Sequence, residues 1–350
     1  MEHVGQVVLV TGVSRHLGGR FARLIGEHPA VDRVIGVDVV PPPHPIGDAD
    51  FVRADIRNPV IAKVIAGADV DTVVHLNVIA TPSSAGGRAS MKEINVIGTM
   101  QLLAACQRAG SVRRLVVKSS AAVYGSGPRD PAMFTEDTAP KSLPRSGFAK
   151  DSVEVEGYVR GFSRRRPDVD VSMLRLANVI GPAIRTGMTD YFSLPVVPTV
   201  LGFDGRLQFV HEDDALSALQ QASLREGVGV VNVAGDGVLT VSQAVRMTGR
   251  PMVPVPMPAG SWIGQAVRRS RLADFSPEQI QFLAYGRGLD TTRMREVLDF
   301  EPRFTTREAF TTFVDSRADR ASSRLPALGD LMAHAERWVE AAVSRPGKAS

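Results

Sequence analysis

The sequence predicts an α/β fold in which helices cover both faces of a doubly wound parallel sheet. Short apolar runs typical of buried strands alternate with helical patterns along residues 1–180. The earliest apolar run leads into a glycine-bearing turn and then directly into a helical pattern. The length of 350 residues leaves room for a smaller lobe beside such a sheet domain. The predicted architecture is therefore a parallel-sheet domain with a smaller α/β lobe interleaved into its last parts.

The first predicted strand covers Gln6–Thr11 and runs into a turn that carries Gly12. The helical pattern that follows contains Leu17 and Phe21 on one face and Gly18 in its first turn. Gly12 permits a tight turn, Gly18 lets the backbone approach a pyrophosphate, and the helix start offers amide groups to the phosphates. The stretch predicts a Rossmann-type dinucleotide site. One of the usual three glycines is absent, so a βα unit that merely carries glycines is the alternative.

The second predicted strand covers residues 33–38 and ends in Asp38. This acid lies about twenty residues beyond the glycine turn, the spacing of a carboxylate that binds the adenosine ribose hydroxyls. Its negative charge would oppose a 2′-phosphate, so NAD is predicted as the cofactor rather than NADP. The alternative interpretation is a solvated acid in a surface loop.

Further patterns complete the predicted sheet domain. The predicted strands cover 51–56, 72–77, 113–120 and 170–177, and the predicted helices cover 91–108 and 148–165. After residue 182 the composition shifts toward Pro, Gly and Thr. Later patterns predict strands at 207–210 and 228–233 and helices at 213–224, 262–269 and 277–283.

Three divisions of the chain follow from these patterns. The sheet domain is expected over 1–180, with 207–236 returning to it, and the substrate lobe over 181–206 and 237–315. A C-terminal helical extension is expected over 316–350, where apolar residues between Leu328 and Ala342 share one helical face. That face is expected to pack on the body, with a dimer contact as the alternative.

Composition excludes several classes of function. The net charge of +4 is small for this length and no strongly basic face is visible, so nucleic-acid binding is not expected. Cys106 is the only cysteine, which excludes an intrachain disulfide and fits a reducing compartment. No apolar run reaches membrane-spanning length and no signal-peptide pattern is visible, so a cytoplasmic protein is expected. No His, Cys, Asp or Glu cluster has metal-ligand spacing.

Several motifs occur in the order in which one enzyme family carries them. They are Thr11-Gly12 with Gly18, Asp38, Asp55-Ile56, His75-Leu76-Asn77, Asn95–Thr99, Ser119–Gly125, Leu174–Pro182 and Phe209–His211. With these motifs the chain resembles the NAD-dependent epimerase/dehydratase family, the extended branch of the short-chain dehydrogenase/reductases, over about residues 5–315. The resemblance implies a Rossmann-type sheet domain, bound NAD, a nucleotide-sugar or related hydroxyl substrate, and a homodimer.

The resemblance also implies a set of cofactor-binding residues. They are Gly12, Arg15, His16, Leu17, Gly18, Asp38, Asp55, Ile56, Leu76, Asn77, Val78, Asn95 and Lys150. Arg15 occupies the position of the middle glycine in the family turn. It also resembles a basic residue that binds the 2′-phosphate of NADP in another branch of the superfamily. Asp38 argues for NAD. The family role of Asn95 would be to orient Lys150 through water.

The family's chemistry uses a Tyr four residues before a Lys, together with a Ser or Thr. Ser120 and Lys150 lie at the expected positions, but Ser146 stands where the Tyr is expected. A phenol beside an ammonium can take the proton of a substrate hydroxyl, whereas a serine hydroxyl is a far weaker acid on a shorter side chain. Ser120, Ser146 and Lys150 are therefore the predicted catalytic positions, with altered chemistry. Tyr191 is a remote substitute for the missing phenol.

Asn178, Arg206 and His211 are the predicted substrate-binding residues. In the family an Arg two residues before the aromatic of the Phe-Val-His motif contacts substrate phosphates, and that position is Leu207 here. Arg206 is adjacent but points to the opposite face of a strand. The chain is thus expected to be an NAD-binding, epimerase/dehydratase-like oxidoreductase. A non-catalytic NAD(P)(H)-binding sensor or interaction protein is the alternative.

Overall fold

A computed structural model describes residues 5–81, 85–139, 144, 146–256 and 277–322. The strands of this part of the chain are β1 (Gln6–Thr11), β2 (Val31–Asp38), β3 (Asp50–Arg53), β4 (Thr72–His75), β5 (Arg114–Ser120), β6 (Met133–Phe134), β7 (Asp170–Leu176), β8 (Asn178–Ile180), β9 (Val197–Val200), β10 (Arg206–Leu207), β11 (Phe209–His211), β12 (Val230–Val233), β13 (Leu239–Thr240), β14 (Met252–Val255) and β15 (Gly288–Leu289). Seven of them form a parallel sheet in the order β12-β7-β5-β4-β1-β2-β3. The predicted Rossmann-type α/β class is confirmed.

The helices lie between these strands along the chain. They are α1 (His16–Gly26), α2 (Val60–Gly67), α3 (Arg88–Lys92), α4 (Thr99–Arg108), α5 (Gly147–Arg165), α6 (Gly187–Tyr191), α7 (Glu212–Leu224), α8 (Val241–Met247), α9 (Pro277–Tyr285), α10 (Thr292–Glu296) and α11 (Thr306–Ser322). A π-helical turn over Glu93–Gly98 joins α3 to α4, and a 3₁₀ helix over Ala121–Tyr124 follows β5.

Successive residues of each central strand face opposite sides of the sheet, which produces two cores. Val8 and Val10 of β1 pack in the core that contains Phe21 of α1. Leu9, between them, packs in the core that contains Leu102 of α4. The continuous apolar strands in the sequence reflect this burial on both faces.

The strand order reverses at β1, which pairs with β2 on one side and with β4 on the other. In register, Thr11 lies beside Val37 and beside His75. The carboxyl ends of these three strands therefore meet at one edge, where open α/β sheets bind their ligands.

The lobe is built from short two-stranded sheets around its own apolar core. That core contains Tyr191, Phe192, Phe209 and Phe310, among other buried residues. The prediction of one strand over 207–210 is wrong, because β10 pairs with β13 and β11 pairs with β8. Gln208 separates β10 from β11. Its side-chain amide donates to Gly235 O at 2.9 Å and accepts from Leu289 N–H at 2.7 Å.

Two features bear on the expected divisions of the chain. β12 lies beside β7 at one edge of the seven-stranded sheet, so the chain returns to that sheet after the first lobe segment. Helix α11 runs to Ser322 and crosses the expected boundary at residue 316. The predicted helix at 262–269 and the apolar face between Leu328 and Ala342 lie outside the described residues. None of the helices that the structure describes is long and apolar enough to cross a membrane.

Candidate active site

The glycine turn after β1 is held tightly against the segment that follows β4. Gly12 has a φ of +83°, a conformation that favours glycine, and a methyl group there would lie 3.1 Å from the backbone of Asn77. A methyl group on Gly18 would lie 2.0 Å from the carbonyl oxygen of Gly12. The structure thus gives Gly18 a packing role between α1 and the turn, and its approach to pyrophosphate stays a prediction.

The start of α1 has the properties of an anion site. Arg15 is its N-cap residue and makes no side-chain cap hydrogen bond, and the first turn contains no acidic residue. Helix α7, by contrast, begins with three acidic residues. Amide groups at the start of a helix attract phosphate when no carboxylate competes for them. The turn and the start of α1 therefore fit the pyrophosphate of a dinucleotide.

The side chains of His16 and Leu17, two predicted cofactor-binding residues, are both in contact with other parts of the protein. Nε2 of His16 lies 2.7 Å from Oε2 of the buried Glu212, which ties the start of α1 to the start of α7. Leu17 packs in the apolar core. A contribution of these two residues to cofactor binding would therefore come from their backbone. The Arg15 guanidinium donates to Oδ1 of Asn77 at 3.4 Å.

Asp38 lies at the carboxyl end of β2, beside the glycine turn, and is 7% exposed. Its Oδ2 accepts the Ser14 N–H at 3.1 Å, and its Oδ1 accepts the Val39 N–H at 2.7 Å. Burial lowers the pKa of Arg15, and the charge of Asp38 opposes that shift. The carboxylate is thus oriented by backbone amides at the sheet edge, where it fits the ribose role predicted for it.

Asp55 and Ile56 follow β3 at the same edge of the sheet. The Arg57 side chain donates to the Asp55 carboxylate at 2.6 Å, and this hydrogen bond holds the pKa of Asp55 below its ordinary value. Ile56 is buried, and its Cδ1 lies 2.8 Å from the point where a Cβ on Gly98 would stand. Asp55 is therefore already engaged by a neighbouring arginine, while Ile56 packs against the π-helical turn.

Leu76, Asn77 and Val78 form the buried segment after β4. The Thr11 hydroxyl oxygen accepts the N–H of Leu76 at 3.2 Å and that of Asn77 at 3.3 Å. The Val78 N–H donates to Leu76 O at 2.8 Å. The segment is thus fixed against the end of β1, next to the glycine turn.

His75 is a structural histidine. Its Nδ1 lies 2.8 Å from Oγ1 of Thr11 and its Nε2 lies 2.8 Å from Oγ1 of Thr99. Burial, with a smaller effect from the charge of Lys118, lowers the pKa of His75 to about 3. The ring is therefore neutral and serves as a bridge between β1 and α4.

Asn95 is fully buried in the π-helical turn. Its amide donates to Ile79 O at 2.9 Å and its Oδ1 accepts the Ile79 N–H at 2.8 Å. The same amide lies 3.4 Å from the carboxylate of Asp151. The structure thus couples Asn95 to α5 through Asp151, the neighbour of Lys150, and the predicted orientation of Lys150 through water stays a prediction.

The three predicted catalytic positions lie at the end of β5 and the start of α5, which packs on the 3₁₀ helix after β5. Ser120 accepts the Ala122 N–H at 3.2 Å and caps that 3₁₀ helix. Ser146 immediately precedes α5, and the Lys150 N–H donates to Ser146 O at 3.3 Å. The Lys150 ammonium lies 3.8 Å from Glu154.

Two residues that the sequence interpretation did not single out lie near this region. Lys118 lies on β5 two residues before Ser120, on the same strand face. Burial, with the charge of Arg15, lowers the pKa of Lys118 to about 8. Glu278 of α9 accepts a hydrogen bond from the Ser146 hydroxyl. A lysine within an otherwise apolar strand pattern could have drawn attention to Lys118. No local pattern could have indicated the contact between Ser146 and Glu278, which lie 132 residues apart in the sequence.

The predicted substrate residues are distributed over two small sheets. Asn178 of β8 lies in register with Phe209 of β11. His211 is buried at the end of β11, and its ring stacks on that of Phe304 with 3.9 Å between the ring centroids. Burial lowers the pKa of His211. Arg206 is exposed on β10, in the other sheet, while Leu207 beside it is fully buried.

Tyr191 does not serve as a substitute for the missing phenol in this structure. Its side chain is fully buried in the lobe core, and its hydroxyl donates to Pro198 O at 2.9 Å. Burial raises the pKa of Tyr191, which makes the phenol a poorer acid.

Comparisons with known proteins identify the family that this chain matches. The sequence profile of the "NAD dependent epimerase/dehydratase family" matches residues 8–234. The uncharacterized protein Rv0501 of Mycobacterium tuberculosis is 49% identical over 318 residues, which cover 89% of this chain and 84% of the relative. A UDP-glucose 4-epimerase of Mycolicibacterium smegmatis is 29% identical over 277 residues, which cover 76% of this chain and 82% of the relative.

Solved structures show the same fold. MoeE5 in complex with UDP-glucuronic acid and NAD matches with a TM-score of 0.70 at 22% identity, covering 90% of this chain and all of that chain. The UDP-glucose 4-epimerase of Thermotoga maritima matches with a TM-score of 0.68 at 20% identity, with the same coverage.

The matched region of the profile spans the glycine turn, Asp38, the end of β5 and the start of α5. The family is described as NAD-dependent, which agrees with the cofactor predicted from the turn and from Asp38. The chain belongs to the NAD-dependent epimerase/dehydratase family.

Proposed function

We propose that this protein binds NAD at the edge where β1, β2 and β4 end and uses it to oxidise a hydroxyl group of a nucleotide sugar. One observation carries this proposal. The uncapped start of α1, the glycine turn and Asp38 lie at one edge of the sheet, and β5 with Ser120 continues the same edge toward α5. Bound NAD⁺ would accept a hydride from the substrate carbon.

The chain's own residues would divide the binding between them. The α1 amides would hold the pyrophosphate, and the Asp38 carboxylate would accept hydrogen bonds from the adenosine ribose. Lys150, one turn into α5, would donate to the second ribose, and the Ser120 hydroxyl would donate to the substrate oxygen. Ser146 supplies no phenol, so proton transfer must differ from that of relatives with a tyrosine at this position.

The nucleotide-sugar class is supported by the relatives. A relative that covers three quarters of this chain is named a UDP-glucose 4-epimerase, and structural neighbours are described with UDP-sugars bound. Asn178 and His211, on the neighbouring strands β8 and β11, are the residues proposed to line the sugar side of the site. Family resemblance also supports a homodimer.

A second candidate is a non-catalytic NAD-binding protein that uses the cofactor to control its shape and contacts. The observation that favours it is the engagement of retained polar groups in structural bonds. Ser120 caps the 3₁₀ helix, and Asn95 bonds the backbone of Ile79 twice. A site of this kind would bind NAD without turning over a substrate.

The two candidates are separated by measuring binding and turnover on one preparation. Both predict a rise in melting temperature with NAD or NADH, since a ligand that binds only the folded state stabilises it. Only the enzyme produces NADH absorbance or an isomerised sugar from a panel of UDP- and dTDP-sugars. Ser120→Ala should reduce that turnover, and Ser111→Ala is the matched control. The proposed homodimer is tested separately by light scattering.

Absence of any thermal shift with NAD, NADH and NADP would contradict both candidates. A clear shift without turnover across the panel would contradict the enzyme and leave the binding protein.

A further inference from the structure

We propose that the Glu278 carboxylate is the general base that takes the proton of the substrate hydroxyl in this protein. The assignment rests on the oxidation proposed above. Glu278 stands in the first turn of α9, and its Oε1 accepts a hydrogen bond from the Ser146 hydroxyl. A lobe residue thus brings a carboxylate to the position where the chain has a serine in place of the family's tyrosine.

The second oxygen of this carboxylate is the important one. Oε2 of Glu278 is buried and accepts no hydrogen bond from the described residues. A buried carboxylate oxygen without a donor is costly, and such groups in native structures call for an explanation. A ligand hydroxyl that donates to Oε2 would satisfy it.

The start of α5 is shaped to receive this carboxylate. Ser146 has an extended backbone and its side chain makes no cap hydrogen bond to α5, so its hydroxyl is available to Glu278. Gly147 follows with a φ of +67°, and a methyl group there would lie 3.5 Å from Oε2 of Glu278. Glycine at this position therefore keeps the side of the helix next to Oε2 clear.

The charges around the start of α5 are already compensated. Arg88 of α3 donates to Gly147 O at 2.9 Å and forms an ion pair with Asp151 at 2.7 Å. The Lys150 ammonium lies beside Glu154. Glu278 is paired with none of these groups in the described structure, so its charge remains available to the ligand.

Proton chemistry favours Glu278 over its neighbours. Serine hydroxyls are too weakly acidic to lose their proton near neutral pH and too weakly basic to accept another, and a lysine ammonium has no lone pair to accept one. A carboxylate can accept a proton directly from a hydroxyl within hydrogen-bond reach. The O–H bond of the substrate breaks, the O–H bond of the Glu278 carboxylic acid forms, and the hydrogen on the same carbon leaves as hydride to NAD⁺.

A purely structural role for Glu278 would be to fasten α9 to α5. Helix α9 has a separate attachment, because the Gln279 amide lies 3.8 Å from the Met188 sulfur of α6. The position of α9 therefore does not depend on the Ser146–Glu278 bond alone. This allows the carboxylate to be changed without releasing the helix.

The test compares Glu278→Gln, Glu278→Gly and the control Glu296→Gln, an exposed lobe glutamate. Loss of a positioned base should lower kcat/KM of Glu278→Gln by about 10²–10⁴-fold. The NAD-induced thermal shift should stay the same. Added formate should restore part of the activity of Glu278→Gly, which a fastening residue would not allow. Glu278→Gln that turns over at the wild-type rate would overturn the assignment.

A second readout does not depend on turnover. In protein carrying ¹³C-carboxyl glutamate, the resonance that Glu278→Gln removes is followed as NADH and UDP-glucose are added together. It should move when both are present, because Oε2 would then meet the sugar hydroxyl. If the panel gives no turnover, the oxidation proposal fails and this resonance alone decides whether Glu278 faces the ligand. A resonance that stays in place at saturation overturns the assignment.

Discussion

Gly18 of α1 lies directly against the carbonyl oxygen of Gly12, with only 2.0 Å between that oxygen and the point where a Cβ on Gly18 would stand. The neighbouring atom is backbone, so it cannot yield by a change of rotamer. This single contact determines how closely the start of α1 approaches the turn that ends β1. The spacing of the proposed phosphate site therefore depends on the absence of one methyl group.

Gly18→Ala should lower the free energy of unfolding by roughly 1–3 kcal/mol or more, because overpacking forces the backbone to shift. It should also abolish the thermal shift produced by NAD. Gly26→Ala in the same helix is the matched control, since its methyl group would meet only Val34 Cγ2 at 3.4 Å. Urea unfolding and melting curves with and without NAD provide the measurement. A Gly18→Ala protein with wild-type NAD response would contradict the packing account.

Asp38→Ser should change the preference between the two dinucleotides. Removing the carboxylate removes its repulsion of a 2′-phosphate, which amounts to ~1–4 kcal/mol for charges about 4 Å apart near a protein surface. The ratio of the Kd for NADP to the Kd for NAD should therefore fall by roughly tenfold or more. Asp32→Asn, an exposed acid on the same strand, should leave that ratio unchanged. Calorimetric titration of both dinucleotides measures it.

His75→Gln should reduce the sensitivity of the fold to acid. Burial lowers the pKa of His75 from 6.5 to about 3, so between these values the unfolded chain binds a proton that the folded chain does not. The free energy of unfolding of the wild type must therefore fall as the pH drops through this window. The variant should lose several kcal/mol less over that range, whereas His44→Gln, at an exposed site, should behave as wild type. Urea unfolding at intervals from pH 7 to pH 4 is the measurement.

Lys118→Met should stabilise the protein without cofactor at neutral pH. Burial lowers the pKa of Lys118 from 10.5 to about 8, so at pH 7 both states are protonated and the folded state bears the cost of a buried charge. We expect a gain of roughly 1–2 kcal/mol, discounted for the partial exposure of the side chain. The gain should shrink as the pH rises from 8 to 10.5, because the wild type then loses that proton on folding.

The control for that experiment is Lys92→Met, at an exposed site on α3. Equal gains for the two variants, or a gain for Lys118→Met that does not change between pH 7 and pH 10.5, would contradict the buried-charge account.

Glu156→Gln should be strongly destabilising. The Glu156 carboxylate accepts from Arg175 Nη2 at 2.7 Å and from Ser119 Oγ at 2.7 Å, and both charged side chains are almost fully buried. Removing one member of a buried pair leaves the other charge uncompensated and costs about 3–5 kcal/mol. Arg160→Ala removes a half-exposed partner of the same carboxylate and should cost at most about 1 kcal/mol. Urea unfolding at pH 7 compares the two, and similar losses would contradict the prediction.

Local patterns were sufficient for the order and type of the central elements. The predicted strand over Gln6–Thr11 and the predicted helix after it agree with the structure, in which the helix starts at His16. A glycine turn between an apolar run and a helical pattern is compatible with few structures other than strand, turn and helix. The same logic located Asp38, since strand ends of a parallel sheet share one edge. The strand at 207–210 was wrongly predicted because Gln208 bonds to residues far along the chain.

No local sequence pattern could predict the contacts between distant segments. The sequence could identify Ser146 as a serine where the family has a tyrosine, but only the tertiary position of α9 brings Glu278 to it. Likewise, the pattern after β1 identified Gly18 as a glycine of the predicted phosphate-binding turn, but its contact with the Gly12 carbonyl became visible only with the fold. Hydrophobic periodicity acts between residues a few positions apart and so determines elements, whereas the chemistry of a site depends on side chains that meet through space after those elements pack.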